Sequence, residues 1–315
     1  VQNRIGREYW IWGDDKLYEQ RLGINRGPYQ ARNLVFLRNC LPNARTIIDV
    51  GANIGMNTIE YATWAKSVKS FEPMNSTYEL LELNVDIAKK AKLKGNYWNP
   101  EKQIAEHRPD IPDGWFKFSD GSFASLDIIG NIEMFNVALG NQDKDILMEE
   151  VTRFCSRGDA VFQVNETTFS DLFDKDLKPE AKNPVQESKM TPIDSYKFTD
   201  VDIIKADTEG TEYWVVQGAK DTIKKYLPIV QVELRQEHCK KFGYDAQDLV
   251  DFMMDIDDYV MCDFDGIDLG KVFTKQKGVM DRFFVHRKLY QSIEKKNKSK
   301  QINDKSTFSE IFQIN

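Results

Sequence analysis

Lys205, Asp207 and Glu209 occupy alternate positions near the end of the stretch Val201–Glu212, VDIIKADTEGTE. Val201–Ile204 reads as a buried strand, and alternate side chains share a face for as long as the backbone stays extended. Ionisable groups at the carboxyl end of such a strand form a candidate reaction centre, until the turn at Gly210 redirects Glu209. A carboxylate there suits general-base work on a hydroxyl. The bland reading of Lys205 and Asp207 is a structural ion pair. His238, just past the next strand, is a further candidate base. Asp207, Glu209 and Glu233 also offer oxygens that a metal would accept, but nothing in the sequence fixes one and no metal is assigned.

The second constellation is Asp49, Gly51, Asn53, Gly55 and Glu72, all within Thr46–Pro73, TIIDVGANIGMNTIEYATWAKSVKSFEP. A glycine turn feeding a helix aims backbone N–H groups at whatever sits above it, which suits an anion. Glu72 follows Gly51 by about 21 residues, the distance at which such units place an acid on ribose hydroxyls. A dinucleotide site needs G-x-G-x-x-G, and here Asn53 takes the place of the second glycine. Asp49 would repel a pyrophosphate, yet it would pair with a cationic amino group. An ammonium, a carboxylate and a ribose together describe S-adenosylmethionine better than NAD.

These groups need a frame. Thr46–Val50, Val68–Phe71, Ile132–Leu139, Val201–Ile204 and Ile229–Leu234 read as buried strands. Helices are predicted between them. The first follows Gly55, capped by Asn57 or Thr58, with Ile59, Ala62 and Ala65 inward. The second opens on a Ser76/Glu79 capping box, carries Leu80, Leu83, Ile87 and Ala91 on one face and ends at Gly95. Val215, Val216, Ala219 and Ile223 mark a third, and Asp245–Asp255 a fourth with Leu249, Phe252, Met253 and Ile256 inward. Tyr259–Phe264 and Arg282–His286 read as an antiparallel pair. Asp263–Gly266 between them resembles a calcium loop only superficially and reads as a hairpin turn. Residues just past the third strand would border adenine, which makes Asn136, Ala138 and Asn141 candidates.

Three parts follow. Residues 1–45 form an N-terminal helical and aromatic cap beside the cleft, with a helix at Ala31–Leu41 and anchors Tyr9, Trp10, Trp12, Tyr18 and Tyr29. Trp10 and Trp12 are assigned to core packing. Residues 46–287 form the main domain. It is interrupted by an insertion at about 97–131, read as a loop or small hairpin, and by a hairpin and loop region at about 146–192. In that region Ile146–Val151 and Asp159–Val164 pair, Thr167–Pro192 is a loop, and a short helix follows Pro192. Residues 288–315 form a polar, lysine-rich tail of weak order, with a short docking helix at Phe308–Ile314.

Composition narrows the partners. A net charge of −7 argues against nucleic acid as the main partner, and no apolar run reaches the length that spans a bilayer. The four cysteines, Cys40, Cys155, Cys239 and Cys262, form no C-x-x-C pair and imply neither zinc nor disulfides, which fits a cytoplasmic protein with reduced thiols.

IIDVGANIGMNT, SFEP, NVALGN, TPIDSY, VDIIKADTEGTEYWVVQGA and PIVQVEL occur in the order seen in the FkbM family of S-adenosylmethionine-dependent methyltransferases. The chain resembles that family from about Thr46 to Leu234, outside the insertion and the hairpin region. The resemblance implies an α/β class I methyltransferase fold, Rossmann-like and doubly wound, with a mostly parallel seven-stranded sheet and an antiparallel final hairpin. It implies O-methylation of a hydroxyl on a sugar, glycan or small metabolite. By position it assigns Asp49, Gly51, Asn53 and Gly55 to the methionine part of the donor, Glu72 to the ribose, and Asp207 and Glu209 to the reacting methyl. An NAD-dependent dehydrogenase or sugar-nucleotide epimerase is the rival enzyme, disfavoured by Asn53 and by the lack of a suitably placed Tyr-x-x-x-Lys pair. A non-catalytic nucleoside-binding accessory protein is the rival outside enzymes. No [DNS]-P-P-[YFW] element and no Pro-Cys pair is present, against methylation of base amino groups and of cytosine C5.

Overall fold

The computed structural model describes residues 7–11, 29–91, 95–99, 104–117, 123–153, 156–162, 185–274 and 281–303. Trp12, Tyr18, Cys155, most of the expected Thr167–Pro192 loop and the Phe308–Ile314 segment lie outside them.

Along the chain, α1 (Ala31–Cys40) leads into β1 (Thr46–Val50), α2 (Met56–Tyr61), β2 (Ser67–Phe71) and α3 (Asn75–Lys90). Four short strands follow, β3 (Asn96–Asn99), β4 (Ile104–His107), β5 (Trp115–Lys117) and β6 (Phe123–Ser125), then β7 (Asn131–Phe135) and β8 (Ala138–Leu139). A long hairpin, β9 (Lys144–Arg153) and β10 (Ser156–Phe162), precedes β11 (Val185–Thr191) and a 3-10 turn at Ile193–Tyr196. Next come β12 (Val201–Ala206), α4 (Glu212–Gln217), α5 (Lys220–Tyr226), β13 (Ile229–Glu233), α6 (Gln236–Lys241) and α7 (Ala246–Ile256). The chain closes with β14 (Tyr259–Cys262), β15 (Asp281–His286) and α8 (Arg287–Asn303).

The main sheet has seven strands in the order β14-β15-β13-β12-β1-β2-β7. Pairing is parallel from β13 through β12, β1 and β2 to β7, and β15 runs antiparallel to both β13 and β14. This arrangement fits the class I methyltransferase fold. Alternation along each strand feeds two cores. Ile47, Val68, Ile132, Ile203, Ile229, Phe283 and Val285 enter one, with Leu34 and Leu37 of α1, Ile59 of α2 and Leu81 and Val85 of α3. Ile48, Val50, Phe71, Ile204, Ala206, Val230, Val232 and Phe284 enter the other, against Val215, Val216, Ile223, Leu249, Val250 and Met253. Helices therefore cover both faces of the sheet, as the β-branched, doubly apolar strands require.

Several expectations need correcting. The segment expected as a loop or small hairpin at about 97–131 carries a four-stranded sheet of its own, β4-β3-β5-β6, before β7 begins at Asn131. Ile132–Leu139 is two strands: β7 stays in the main sheet, while β8 pairs with β11 in a third sheet, β10-β9-β11-β8. Val185–Thr191, expected as loop, is a strand along β9. Within the segment expected as a tail, the residues up to Asn303 form α8, and 304–315 lie outside the described residues. No capping box forms at Ser76, because α3 starts from Met74, whose side chain cannot cap. Its buried face is Thr77, Leu81, Asn84, Val85 and Ala88, one step from the expected stripe, and Leu83 is exposed. The stripe misleads because Asn84 is buried for its hydrogen bonds, donating to the carbonyls of Ile54 and Trp10 and accepting from the Trp10 N–H. That grip fixes the Trp10 backbone and leaves its indole largely in solvent, against the assignment to core.

Candidate active site

A polar row crosses the middle of the parallel sheet. Ser70 on β2, Asp49 on β1, Lys205 on β12 and Gln231 on β13 are register partners in turn, and all four are buried. Lys205 Nζ lies 3.2 Å from Asp49 Oδ1 and donates to the carbonyls of Gly51 (2.9 Å) and Val50 (3.3 Å). The Thr58 hydroxyl donates to Asp49 Oδ2 at 2.7 Å and sits 2.9 Å from the Ser70 hydroxyl. Burial alone would lower the Lys205 pKa, but Asp49 and, behind it, Asp207 outweigh this and hold it above the usual lysine value. Lys205 stays charged and almost wholly buried, and it links β1 to β12 through Asp49. Lys205 is the cation that Asp49 faces within the protein. Thr58 is likewise engaged with Asp49 rather than capping α2, whose N-cap is Gly55.

The glycine loop closes on itself. Gly51 and Ala52 N–H both donate to the Phe71 carbonyl, Asn53 N–H to Glu72 Oε2, Ile54 N–H to the Asn53 side chain and Gly55 N–H to the Ala52 carbonyl. These donors are spent within the protein, so the expected anion cradle is not formed by them. Gly51, at φ 72°, is required on two counts: a Cβ there would overlap the Asp207 carbonyl oxygen, and its backbone is left-handed. Glu72 accepts from Asn53 N–H and Met74 N–H at 3.0 Å each, and burial raises its pKa to about 7 against those donors. Asn136 donates to the Glu72 carbonyl and so borders the same end of β2. Ala138 is buried among Met74, Met148 and Met190, and Asn141 donates to Gln217.

The reacting turn follows β12. Asp207 N–H continues the ladder to the Val50 carbonyl, and its carboxylate lies 3.9 Å from Lys205 Nζ with its side chain partly exposed. Glu209 (φ 56°) and Gly210 (φ 121°) then reverse the chain, with Glu209 Oε2 3.4 Å from His238 Nδ1 on α6. Glu212, buried on α4, fastens this turn: its Oε1 accepts from Thr208 N–H, the Thr208 hydroxyl and Gly210 N–H. Burial pushes Glu212 up to about 7, with those donors opposing. Tyr244 ties the Gly210 carbonyl from the other side at 2.8 Å. Glu233, at the end of β13, is pushed well above the usual carboxylate range by burial and by Asp207 and Glu209, with Arg235 Nη2 donating to it at 2.9 Å in partial relief. Glu233, Glu209 and His238 lie together, and Asp281 opposite Glu233 on β15 is likewise raised by burial and Asp207.

Sequence reasoning missed several of these groups. Glu212 was inside the K-x-D-x-E-G-x-E block, whose last acid had a signal but no assigned role. Gln30, Asn57 and Arg235 had none. Gln30 joins the N-terminal cap to the site, donating to Asp207 Oδ2 at 3.4 Å and accepting from Asn57 Nδ2 at 2.9 Å. Asn57 Oδ1 is left buried without a hydrogen-bond partner among the described residues. An unpaired acceptor beside the glycine loop fits the N–H of a bound ammonium, and a buried acid at the end of β2 fits ribose hydroxyls, so the residues present suit the methyl donor implied by the resemblance.

The sequence pattern described as the methyltransferase FkbM domain matches residues 49–263. Solved structures similar to the chain include a methyltransferase FkbM from Methylobacillus flagellatus KT, 14% identical, with a TM-score of 0.41 and coverage of 77% of this chain and 44% of that one. A precorrin-6y C5,15-methyltransferase from Geobacter metallireducens GS-15 is 11% identical, with a TM-score of 0.39 over 89% of this chain and all of that one (100%). A putative methyltransferase from Streptococcus mutans in complex with SAH is 10% identical, with a TM-score of 0.36 over 82% and 97%. The chain thus spans less than half, 44%, of the Methylobacillus flagellatus protein. Among curated proteins, none matches the chain. No helix of the described residues is long and apolar enough to cross a membrane. With the FkbM pattern matched over residues 49–263 of the 315, the chain belongs to the FkbM methyltransferase family.

Proposed function

We propose that this protein transfers a methyl group from S-adenosylmethionine to a hydroxyl of a sugar, glycan or small metabolite. The carrying observation is the contact of Gly51 with the Asp207 carbonyl, where a single added carbon would collide. The loop that would hold the donor and the acid that would serve the acceptor meet at one point of the crevice. When bound, the donor would supply an activated methyl group for direct displacement. Glu72 would hold the ribose hydroxyls, Asn57 Oδ1 the ammonium and Asn136 the edge near adenine. Asp207 would take the proton of the acceptor hydroxyl during or after transfer, a contribution of roughly 10²–10⁴-fold. Glu209 stands 3.4 Å from His238, which leaves Asp207 that role. Alignment of the acceptor oxygen with the methyl group would supply much of the remaining rate.

The test is a calorimetric titration with S-adenosylmethionine, S-adenosylhomocysteine and NAD, paired with transfer of labelled methyl to fractionated glycans and metabolites. Heat with the first two ligands and label in a hydroxyl-bearing fraction support the reading. Heat with NAD alone supports the dehydrogenase reading instead.

A further inference from the structure

We infer that Glu209, Glu233 and His238 form a binding site for a divalent transition-metal cation at the carboxyl edge of β12 and β13. The three donors come from separate pieces of chain: the reversed turn after β12, the last residue of β13 and the middle of α6. One ligand atom from each lies within 4.8 Å of the others. Ligands about 2.1 Å from a shared ion stand roughly 3–4 Å apart, so small side-chain rotations close the set. Two carboxylates neutralise a dication, and a carboxylate–imidazole mixture suits Mn²⁺, Fe²⁺ or Zn²⁺ better than a hard Mg²⁺ or Ca²⁺ cage.

A second observation, the local charge, points the same way. Asp207, Glu209 and Glu233 converge with side chains only 18%, 23% and 11% exposed. Lys205 is committed to Asp49 at 3.2 Å and stands 3.9 Å from Asp207. Arg235 grips Glu233 through one oxygen. Three largely buried carboxylates thus share this edge with Arg235 and Lys205, and a bound cation would offset their mutual repulsion. His238 Nδ1 to Glu209 Oε2, at 3.4 Å, is too long for a strong charged hydrogen bond, and an ion shared between them would replace it. An ion held there could also bind an acceptor hydroxyl and lower its pKa; that clause alone rests on the methyl-transfer reading, whereas the site stands on its own geometry.

The experiment uses the full chain without a tag, stripped of metal and with no methyl donor present. Binding of Mn²⁺ is followed by electron paramagnetic resonance and of Zn²⁺ by calorimetry, for the wild type, Glu233→Gln and His238→Gln. Expected is one ion per chain, with each variant weakening affinity at least tenfold. Glu209→Gln stands in if either variant fails to show a cooperative thermal transition. A wild type that binds neither ion, or binding that the folded variants leave unchanged, overturns the site. S-adenosylmethionine titrated into the same metal-free protein reports on the methyl-transfer reading separately.

Discussion

Lys205 and Asp49 face each other across adjacent parallel strands with Nζ 3.2 Å from Oδ1, both excluded from solvent. Their pairing fixes the register of β1 against β12, and with it the separation of the glycine loop from the reacting turn. Lys205→Met would strand a buried carboxylate, at a cost of about 3–5 kcal/mol. The urea midpoint should fall accordingly, and adding Asp49→Asn to the same chain should recover part of the loss. Equal stability of Lys205→Met and wild type would remove the pair from this account.

Gly51→Ala should be nearly as damaging. Its methyl group would enter the space of the Asp207 carbonyl at a left-handed backbone position. Loss of several kcal/mol, or failure to accumulate folded protein, is expected. Thermal unfolding decides it, with Gly243→Ala as the control: that glycine shares a positive φ but meets nothing within 4 Å, so only its backbone strain is felt.

Glu212 gives a pH signature. Its folded pKa of about 7 lies above the unfolded value of 4.5, so the fold favours the protonated acid. Stability from this source is fully present below pH 4.5 and lost as pH rises through about 7. At ~1.4 kcal/mol per pH unit the decline amounts to roughly 3 kcal/mol for this group. Glu212→Gln keeps the Oε1 acceptor and removes the charge, so the urea midpoint of the variant should fall less between pH 5 and pH 8 than that of the wild type, with Glu72 and Glu233 supplying the remaining decline. Glu212→Ala should instead lose the turn, together with most of the transfer activity.

Asp207→Asn separates binding from chemistry. Affinity for S-adenosylmethionine should stay within a few-fold of wild type by calorimetry, while the transfer rate falls about 10²–10⁴-fold. A full rate in this variant would shift the base elsewhere.

Glu72→Ala should do the reverse, weakening S-adenosylmethionine about 10–100-fold, because ribose hydroxyls would lose a charged acceptor. Its buried position makes a melting curve a necessary companion measurement.

Much of the frame was legible because its signals are local. Ile47-Ile48 and Ile203-Ile204 declare strands buried on both faces, and spacing put Gly51, Glu72 and the Lys205–Glu209 block at the ends of their strands, where the structure has them. What stayed hidden is side-chain partnership that overrides pattern. Nothing local to Asp49 reveals that Lys205, 156 residues later in sequence, is its register partner. Asn84 disguised the buried stripe of α3, since a polar residue buried for its hydrogen bonds counts as surface in any hydrophobic pattern. The turn at Gly210 was legible as a redirection of Glu209, but its neighbour there, His238, was not. The inserted sheet was unreadable from its scattered aromatics, because strands of three or four residues carry too few alternations to show a period.

Where parallel strands part to open a crevice, the last carbonyls of each normally lose their ladder partners and must find water or a ligand. Asp207 N–H still holds the Val50 carbonyl, and Lys205 supplies the donor for the next one, reaching the Gly51 carbonyl just past the last rung between β1 and β12. The gap is thereby stitched open from within. Its backbone should keep the same shape with and without a guest, so that a cofactor arriving there spends little of its interaction energy on remodelling its host. Selectivity for different acceptors can then be altered in the surrounding loops without retuning the cradle itself.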